Sequence, residues 1–539
     1  VESPGHALGF VALVPWLAAL DRVRSARAAM LSGLLMSGIF ALSVFAWFGT
    51  AMANYAGAPT WMGLALLTLL APLLQPQLVL FGWARHLAGS PTARGLVALQ
   101  RALVGGFVYV ATEWALPKLF ADTLGHGLHP SLWLRQGADL AGAPGLTLAL
   151  LLCNEAVLQT LRGWRRGDAP EPEGRPALRA PGLTDHARAS IRPAACALAI
   201  AGSLAGYGAW RLSMLRNDGP EPVLLRVALV QADLSRYARL REELGTFDAT
   251  VRILERHFSL SDQALSSGPV DILVWPETVY PTTFGTPKSE EGAEFDRAIA
   301  DFSALRGVPL VFGAYDAEEG EEYNAAFFLA PGGDVEVYRK EALFPLTERV
   351  PAWLAAEPVR RWLPWLGTWR AGSGPRLVSM PLADGRTLRV GPLICYDAVD
   401  PRFARASARA GAELLVTLSN DSWFDAGGGP RLHLVVAAFR SIETRLPQIR
   451  ATNTGITAAI DAEGTLIASL AVHQRDVLVA DVAASPAAAT LVLRWGDWLG
   501  PVTLGGAGAL LLAACIRTHR SDGRRLVRFR SPSRARHPH

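Results

Sequence analysis

The chain has 539 residues, half of them hydrophobic, and a mean hydropathy of +0.22. That is too long for one ordinary domain and too apolar for a wholly water-exposed protein, so membrane segments are expected. A formal net charge of +4 is too mild to point to nucleic acid, and four cysteines, three of them in apolar stretches (Cys153, Cys196 and Cys515), exclude a disulfide framework.

Apolar runs come first along the chain, at about 5–20, 28–49, 60–84, 97–117, 140–161 and 193–213, with a seventh at 491–516. Each approaches the roughly 20 residues that a bilayer helix needs. The first, GFVALVPWLAAL, is short. The chain begins at Val1 rather than Met, so one preceding span is expected to be missing. The basic segments 21–27, 84–94, 162–192 and the tail after 516 alternate with loops poor in Lys and Arg near 50–60 and 118–135. By the positive-inside rule the basic segments face the cytoplasm and residues 217–487 face the other side. The spans show no paired set of charges marking a transport path; Glu113 and Glu155 are isolated exceptions.

Residues 217–487 contain no run long enough to span. Short apolar or alternating runs predict strands at 224–232, 271–277, 308–315, 325–330, 334–340, 389–397, 413–421 and 456–461. Helices are expected at 240–266, 291–305, 401–411 and 431–445, which suggests a layered α/β domain.

Several strand ends carry reactive groups. Glu277, in DILVWPETVYP, follows an apolar strand and lies near Trp275 and Tyr280, where desolvation would raise its pKa toward that of a general base. Alone it equally fits a carboxylate capping a turn. Lys340, in VEVYRKEALFPLTERVP, suits an oxyanion-stabilising cation or a surface lysine, and Glu348 in the following loop is equally open. Cys395, in GPLICYDAVD, is a packed thiol, half of a disulfide or a nucleophile. Asn420 and Asp421 close another strand, with Trp423 in the loop beyond. His433 starts a helix and reads as structural. Neither a zinc-binding nor a phosphate-loop pattern is present, so no metal is expected.

In combination the stretches WPET, YRKEALFPLTERVP, LICYD, SNDSWF, RSIETRLPQIRATNTGITAAID and RWGDW resemble the nitrilase (carbon–nitrogen hydrolase) superfamily. With the apolar spans, and VATEWAL at 110–116, the chain resembles that superfamily's membrane branch, the apolipoprotein N-acyltransferases. The resemblance implies a polytopic α-helical membrane domain plus an α/β nitrilase-like αββα sandwich domain. Its division would be 1–216 membrane helices, 217–487 catalytic domain, 488–517 a last span and 518–539 a basic cytoplasmic tail. It implies Glu277 as general base, Lys340 as oxyanion stabiliser and Cys395 as nucleophile. Glu348, Tyr396, Asp397, Asn420 and Trp423 would support the triad or bind substrate. No cofactor is implied. The implied partners are a phospholipid acyl donor and a diacylated apolipoprotein acceptor, met by a monomer in the bacterial inner membrane with its catalytic domain periplasmic. Trp353, Trp362 and Trp365 would lie at the interface.

The sequence departs from the family at Asp397, where Glu is usual. It departs also at Ala342 and Thr347, in place of His and Gly, at Asp425, in place of Gly, and in the loop 118–135. Two alternatives stay open: a membrane-tethered amidase that passes the acyl group to water, and an inactive relative that binds lipoprotein.

Overall fold

The computed structural model describes the chain except residues 1–3, 56, 91, 92, 94, 168–182, 219, 220, 235, 236, 346, 351–357, 359, 360, 362–366, 368, 425, 426 and 530–539. Trp353, Trp362, Trp365 and Asp425 therefore lie outside the described residues.

Among the described residues, four helices are long and apolar enough to cross a membrane: Ala26–Asn54, Leu96–Ala115, Ala138–Trp164 and Leu499–Arg517. Thr60–Leu74 and Pro76–Leu87 are long and apolar enough only as a pair, bent by 50° at the break, the form of a broken span or a re-entrant loop. Pro76, which lacks an N–H, starts the second half, and Pro72 sits in the last turn of the first, so the bend has an identifiable cause. The expected span at 5–20 is a shorter apolar helix, Gly5–Leu20. The one at 193–213 falls within the helix Leu183–Asp218, which is not among the four.

The helical part corrects one expectation, because its charges are paired. Arg85 Nη1 meets Asp21 Oδ1 at 2.9 Å, Arg85 also pairs with Glu155, and Arg101 pairs with Asp21, all four side chains being buried. Glu113 accepts from Lys118 at 2.8 Å and from the Thr123 hydroxyl at 2.7 Å. The partners are 64 to 80 residues apart in the first network, too far for sequence spacing to reveal them.

The sheet-rich part has two layers. Strands β1 (Val223–Gln231), β2 (Ile272–Val274), β3 (Tyr280–Thr283), β4 (Leu310–Glu318), β5 (Glu321–Leu329) and β6 (Val335–Arg339) form one sheet with β13 (Asp476–Ala484), in the order β13-β1-β2-β4-β5-β6 and with β3 paired to β4. The second sheet runs β12-β11-β10-β9-β8-β7, built from β7 (Val378–Pro381), β8 (Thr387–Ile394), β9 (Leu414–Ser419), β10 (Gln448–Thr452), β11 (Ala458–Ile460) and β12 (Leu466–Ser469).

The two-residue alternation of side chains divides each strand between two cores. Leu225, Val227 and Leu229 of β1 meet Val390, Ile394, Leu414 and Val416 of the other sheet in the central layer. Ala228 and Val230 face the opposite way, onto Ile253, Leu254 and Ile299 of the helices Thr246–Ser266 and Glu290–Arg306. Leu393 and Leu415 of the second sheet likewise pack on Ala404 and Ala437 of the helices Pro401–Ala410 and Gly429–Thr444. The result is an αββα sandwich, the expected fold class.

The helix Gly429–Thr444 also joins the two parts of the chain. Its Phe439 and Ile442 pack on Leu146 and Leu150 of the helix Ala138–Gly167. Beyond its end, Arg445 donates to Asp139 at 2.8 Å and to Gln136 at 2.5 Å, fully buried.

Candidate active site

The reactive groups gather where strands end, as sheets of this kind dictate. β2 leads through Trp275 and Pro276 to Glu277, β6 ends one residue before Lys340, β8 one before Cys395 and β9 one before Asn420. β8 runs parallel to β9, so Cys395 and Asn420 emerge on the same edge.

Glu277 is 4% exposed and Lys340 1%. Lys340 Nζ donates to Glu277 Oε1 at 3.0 Å and to Glu348 Oε1 at 2.7 Å. Glu277 Oε1 also accepts from Asn324 Nδ2 at 2.7 Å, and its Oε2 from the Asn420 backbone N–H at 2.8 Å. The second Glu348 oxygen accepts from the Phe344 N–H at 2.7 Å, which ties the loop after Lys340 to the ammonium. Burial works against the charged lysine, but Glu277 and then Glu348 outweigh it and hold the Lys340 pKa well above its usual value.

The desolvation of Glu277 has a different origin from the one expected. Trp275 and Tyr280 point into the outer core, where Trp275 Nε1 donates to Ser261 at 2.9 Å and the Tyr280 hydroxyl to the Gly292 carbonyl at 3.0 Å. The backbone at Glu277 is instead pressed against β4. A Cβ on Gly313 would come within 2.4 Å of Thr278 N and 2.6 Å of Glu277 Cα, so only glycine fits there. Thr278 has φ +58, strained for a β-branched residue.

Cys395 has φ +47 where β8 passes into the short 3-10 helix Cys395–Val399. At this turn the side chain is partly buried and packs against the core between the two sheets. Burial and then the Glu277 carboxylate push the thiol pKa up, while Lys340 pulls it down. The resting group is therefore the thiol.

Asp397 binds that turn to the lysine segment. Its Oδ1 accepts from the N–H groups of Ala342 (2.7 Å) and Glu341 (3.2 Å), and its Oδ2 from the Ile394 N–H (2.9 Å) and the Tyr338 hydroxyl (3.0 Å). Burial raises its pKa to about 7 against these donors, those from Ala342 and Ile394 first. Tyr396 leaves the sandwich altogether. Its hydroxyl donates to the Leu119 carbonyl, and its ring packs on Phe120 and Phe344 at 6.1 and 5.1 Å between centroids. Phe120 in turn packs on Phe45 and Trp47 of the long apolar helix Ala26–Tyr55, so an aromatic wall runs from the residue next to Cys395 into the helical part. Trp423 lies on the 3-10 helix Asp421–Phe424, and its side chain lies outside the described residues.

Sequence reasoning missed Asn324, Gly313 and the buried set around Asp421. Arg450 Nη2 donates to Asp421 Oδ2 at 2.9 Å and lies 3.0 Å from His433 Nδ1. Cys395 Sγ, an Asp421 oxygen and a His433 nitrogen lie within 4.8 Å of one another, a donor set of zinc type. These residues do not fit a metal. Asp421 is already neutralised by Arg450, and His433 Nε2 is engaged with the Cys395 carbonyl at 3.2 Å.

A cavity of about 440 Å³ adjoins Tyr396 where the helical part, the sandwich and the helix Leu499–Phe529 meet, lined among others by Trp114, Lys118, Arg405, Arg440 and Leu499.

Residues 226–490 match the carbon-nitrogen hydrolase family, and residues 5–156 match the apolipoprotein N-acyltransferase N-terminal domain. The apolipoprotein N-acyltransferase of Geobacter metallireducens is 27% identical over 532 residues, covering 96% of this chain and 92% of that protein. The protein of the same name from Chlorobaculum tepidum is 28% identical, over 95% of this chain and 92% of its own. That of Caulobacter vibrioides is 30% identical over 501 residues, 88% of this chain and 84% of its own. The chain belongs to the apolipoprotein N-acyltransferase family, enzymes whose catalytic domain is of the carbon–nitrogen hydrolase type.

Proposed function

We propose that this chain moves an acyl chain from a phospholipid to the α-amino group of the N-terminal diacylglyceryl-cysteine of apolipoproteins, in two half-reactions through a thioester on Cys395. The observation that carries the reading is the convergence of Glu277, Lys340 and Cys395 beside an aromatic wall continuous with a membrane-spanning helix.

In the first half-reaction Glu277 takes the thiol proton as Sγ attacks the ester carbonyl. The carbonyl oxygen becomes an oxyanion facing the Lys340 ammonium, a contact worth about 3 kcal/mol in such sites. The ester C–O bond then breaks, the leaving alkoxide takes the proton from Glu277, and a lysophospholipid departs. In the second half-reaction the acceptor amine attacks the thioester, its proton passes to Glu277, and the C–S bond breaks. The thiolate regains the proton, leaving an amide on the acceptor. No step calls for a metal or an organic cofactor.

Glu348 keeps Lys340 charged and placed, Asp397 fixes the nucleophile's turn, and Asn420 orients Glu277. Tyr396 lines the route for acyl chains, and Trp423 is assigned to substrate binding. The cavity beside Tyr396 suits a charged headgroup, since it has both carboxylate and cationic walls and apolar residues from three of the long apolar helices. The same reading divides the chain into membrane helices (1–216), a catalytic domain (217–487), a last span (488–517) and a basic tail (518–539). It places the catalytic domain on the periplasmic face of the bacterial inner membrane.

The test is transfer of label from an acyl-labelled phospholipid to a diacylglyceryl-cysteine peptide by purified protein in detergent. Label on the peptide amine, lost in Cys395→Ala, is expected. Release as free fatty acid alone would assign a hydrolase instead.

A further inference from the structure

The turn that carries Cys395 needs an anchor. A non-glycine residue with φ near +47 costs of order 1–3 kcal/mol and persists only when its surroundings fix it. Asp397 holds the turn from the side of the lysine segment. On the other side, His433 reaches the backbone of Cys395 itself, its Nε2 lying 3.2 Å from the Cys395 carbonyl oxygen.

A carbonyl only accepts, so Nε2 carries the proton. The other nitrogen, Nδ1, is lodged between Arg450 Nη2 at 3.0 Å and Asp421 Oδ1 at 3.1 Å, so Nε2–H faces the carbonyl whether or not Nδ1 also carries a proton. Asp421 makes this arrangement stable, since it neutralises Arg450 at 2.9 Å and accepts from the Ser419 hydroxyl at 2.7 Å. Burial first, and then Arg450, lower the His433 pKa, against Asp421, which raises it. The geometry is enforced elsewhere too. A Cβ on Gly455 would fall 2.2 Å from Asp421 Oδ2, so glycine is required where the chain passes the carboxylate. The Phe120 ring, from the loop of the helical part, stands edge-on to the imidazole at 6.0 Å between centroids.

We propose that His433 is a positioning residue for the nucleophile: with its ring held at Nδ1 by Arg450 and Asp421, its Nε2–H grips the Cys395 carbonyl and keeps Sγ registered with Glu277 and Lys340. The inference rests on Cys395 being the nucleophile. It also gives the loop around Phe120 a route to the reaction centre, because that loop bears on both His433 and Tyr396, the latter being the residue next to Cys395.

The test compares His433→Gln, His433→Asn and His433→Ala by the alkylation rate of Cys395 with iodoacetamide, read by mass spectrometry, and by kcat and KM for acyl transfer. A glutamine amide nitrogen stands where Nε2 stands, whereas that of asparagine stands where Nδ1 does. The expected result is a fall in alkylation rate and kcat of about 10- to 100-fold in the alanine and asparagine variants, with KM within about twofold. This is the scale of a small misplacement of a reacting group. Glutamine should restore both to within about fivefold of wild type. Equal behaviour of glutamine and asparagine, or wild-type alkylation in all three, would overturn the proposal. If the alanine variant fails to fold, the glutamine–asparagine contrast still decides. The alkylation rate does not depend on which acceptor the enzyme uses. A wrong acyltransferase reading would therefore leave the alkylation contrast intact, and a wrong role for His433 would leave label transfer intact.

Discussion

Lys340 sits between two carboxylates, and that arrangement explains how a lysine comes to be buried next to a thiol. Its ammonium is shared by Glu277 and Glu348 at 3.0 and 2.7 Å, so removing either acid leaves a buried charge with half its partners. Glu348→Gln is expected to slow acylation of Cys395 by about 10- to 100-fold, the value of one hydrogen bond to a charged group, while barely changing KM for the acceptor. Single-turnover kinetics checks this, and a change confined to KM would contradict it. Asp421 supplies a pH dependence of defined sign. Burial works against its anion, but Arg450 and then His433 outweigh it and hold its pKa well below the usual carboxylate range. Because the folded value lies below the unfolded one, this pair stabilises the fold fully above about pH 4, and the contribution is lost as pH falls through the folded value. Denaturant unfolding from about pH 6 to pH 3 should therefore lose stability more steeply in wild type than in Asp421→Asn. Parallel profiles would refute the assignment.

Strands and helices of the sandwich were legible where apolar side chains alternate or run unbroken between turns, as in LLRVALVQA (β1) and ELLVTLSND (β9). β10, QIRAT, was missed because it carries Arg450, a charge that period-two reasoning assigns to solvent. It is buried and its charge is paired with Asp421, 29 residues earlier. Asn324 on β5 and Gly313 on β4 were missed for related reasons. A polar residue and a glycine weaken a strand pattern, yet here one bonds Glu277 and the other lets its backbone approach. Glu277 and Lys340 are 63 residues apart, so their ion pair followed from the family resemblance and not from spacing. The glycine provides a test. Gly313→Ala should displace Glu277 and cut thioester formation by about 100-fold. Circular dichroism should still report a folded sandwich. Unchanged activity would mean that the approach of β4 is not what sets Glu277.

The helical part and the sandwich are bound together by buried charge as well as by apolar packing. Asp139 accepts from Arg445 and Arg211, both at 2.8 Å, while Arg135 reaches across to the Glu463 carbonyl at 3.0 Å. Asp139→Ala would leave Arg445 buried without its counter-ion, and a loss of about 3–5 kcal/mol is expected, seen as a lower unfolding temperature in detergent. A shift within experimental scatter would mean that the seam is held by Phe439, Ile442 and their neighbours alone. The helix Gly429–Thr444 that carries the seam also packs Val436 against the aromatic wall between the helix Ala26–Tyr55 and Tyr396. An acyl chain leaving the membrane would follow that wall to Cys395. The most direct measurement is therefore mass spectrometry of the purified protein after incubation with a labelled phospholipid and no acceptor. A labelled acyl group on the peptide containing Cys395, absent from Cys395→Ala and Glu277→Gln and discharged when the diacylglyceryl-cysteine peptide is added, is the result expected. An unmodified Cys395 under conditions where label still reaches the peptide would contradict the account.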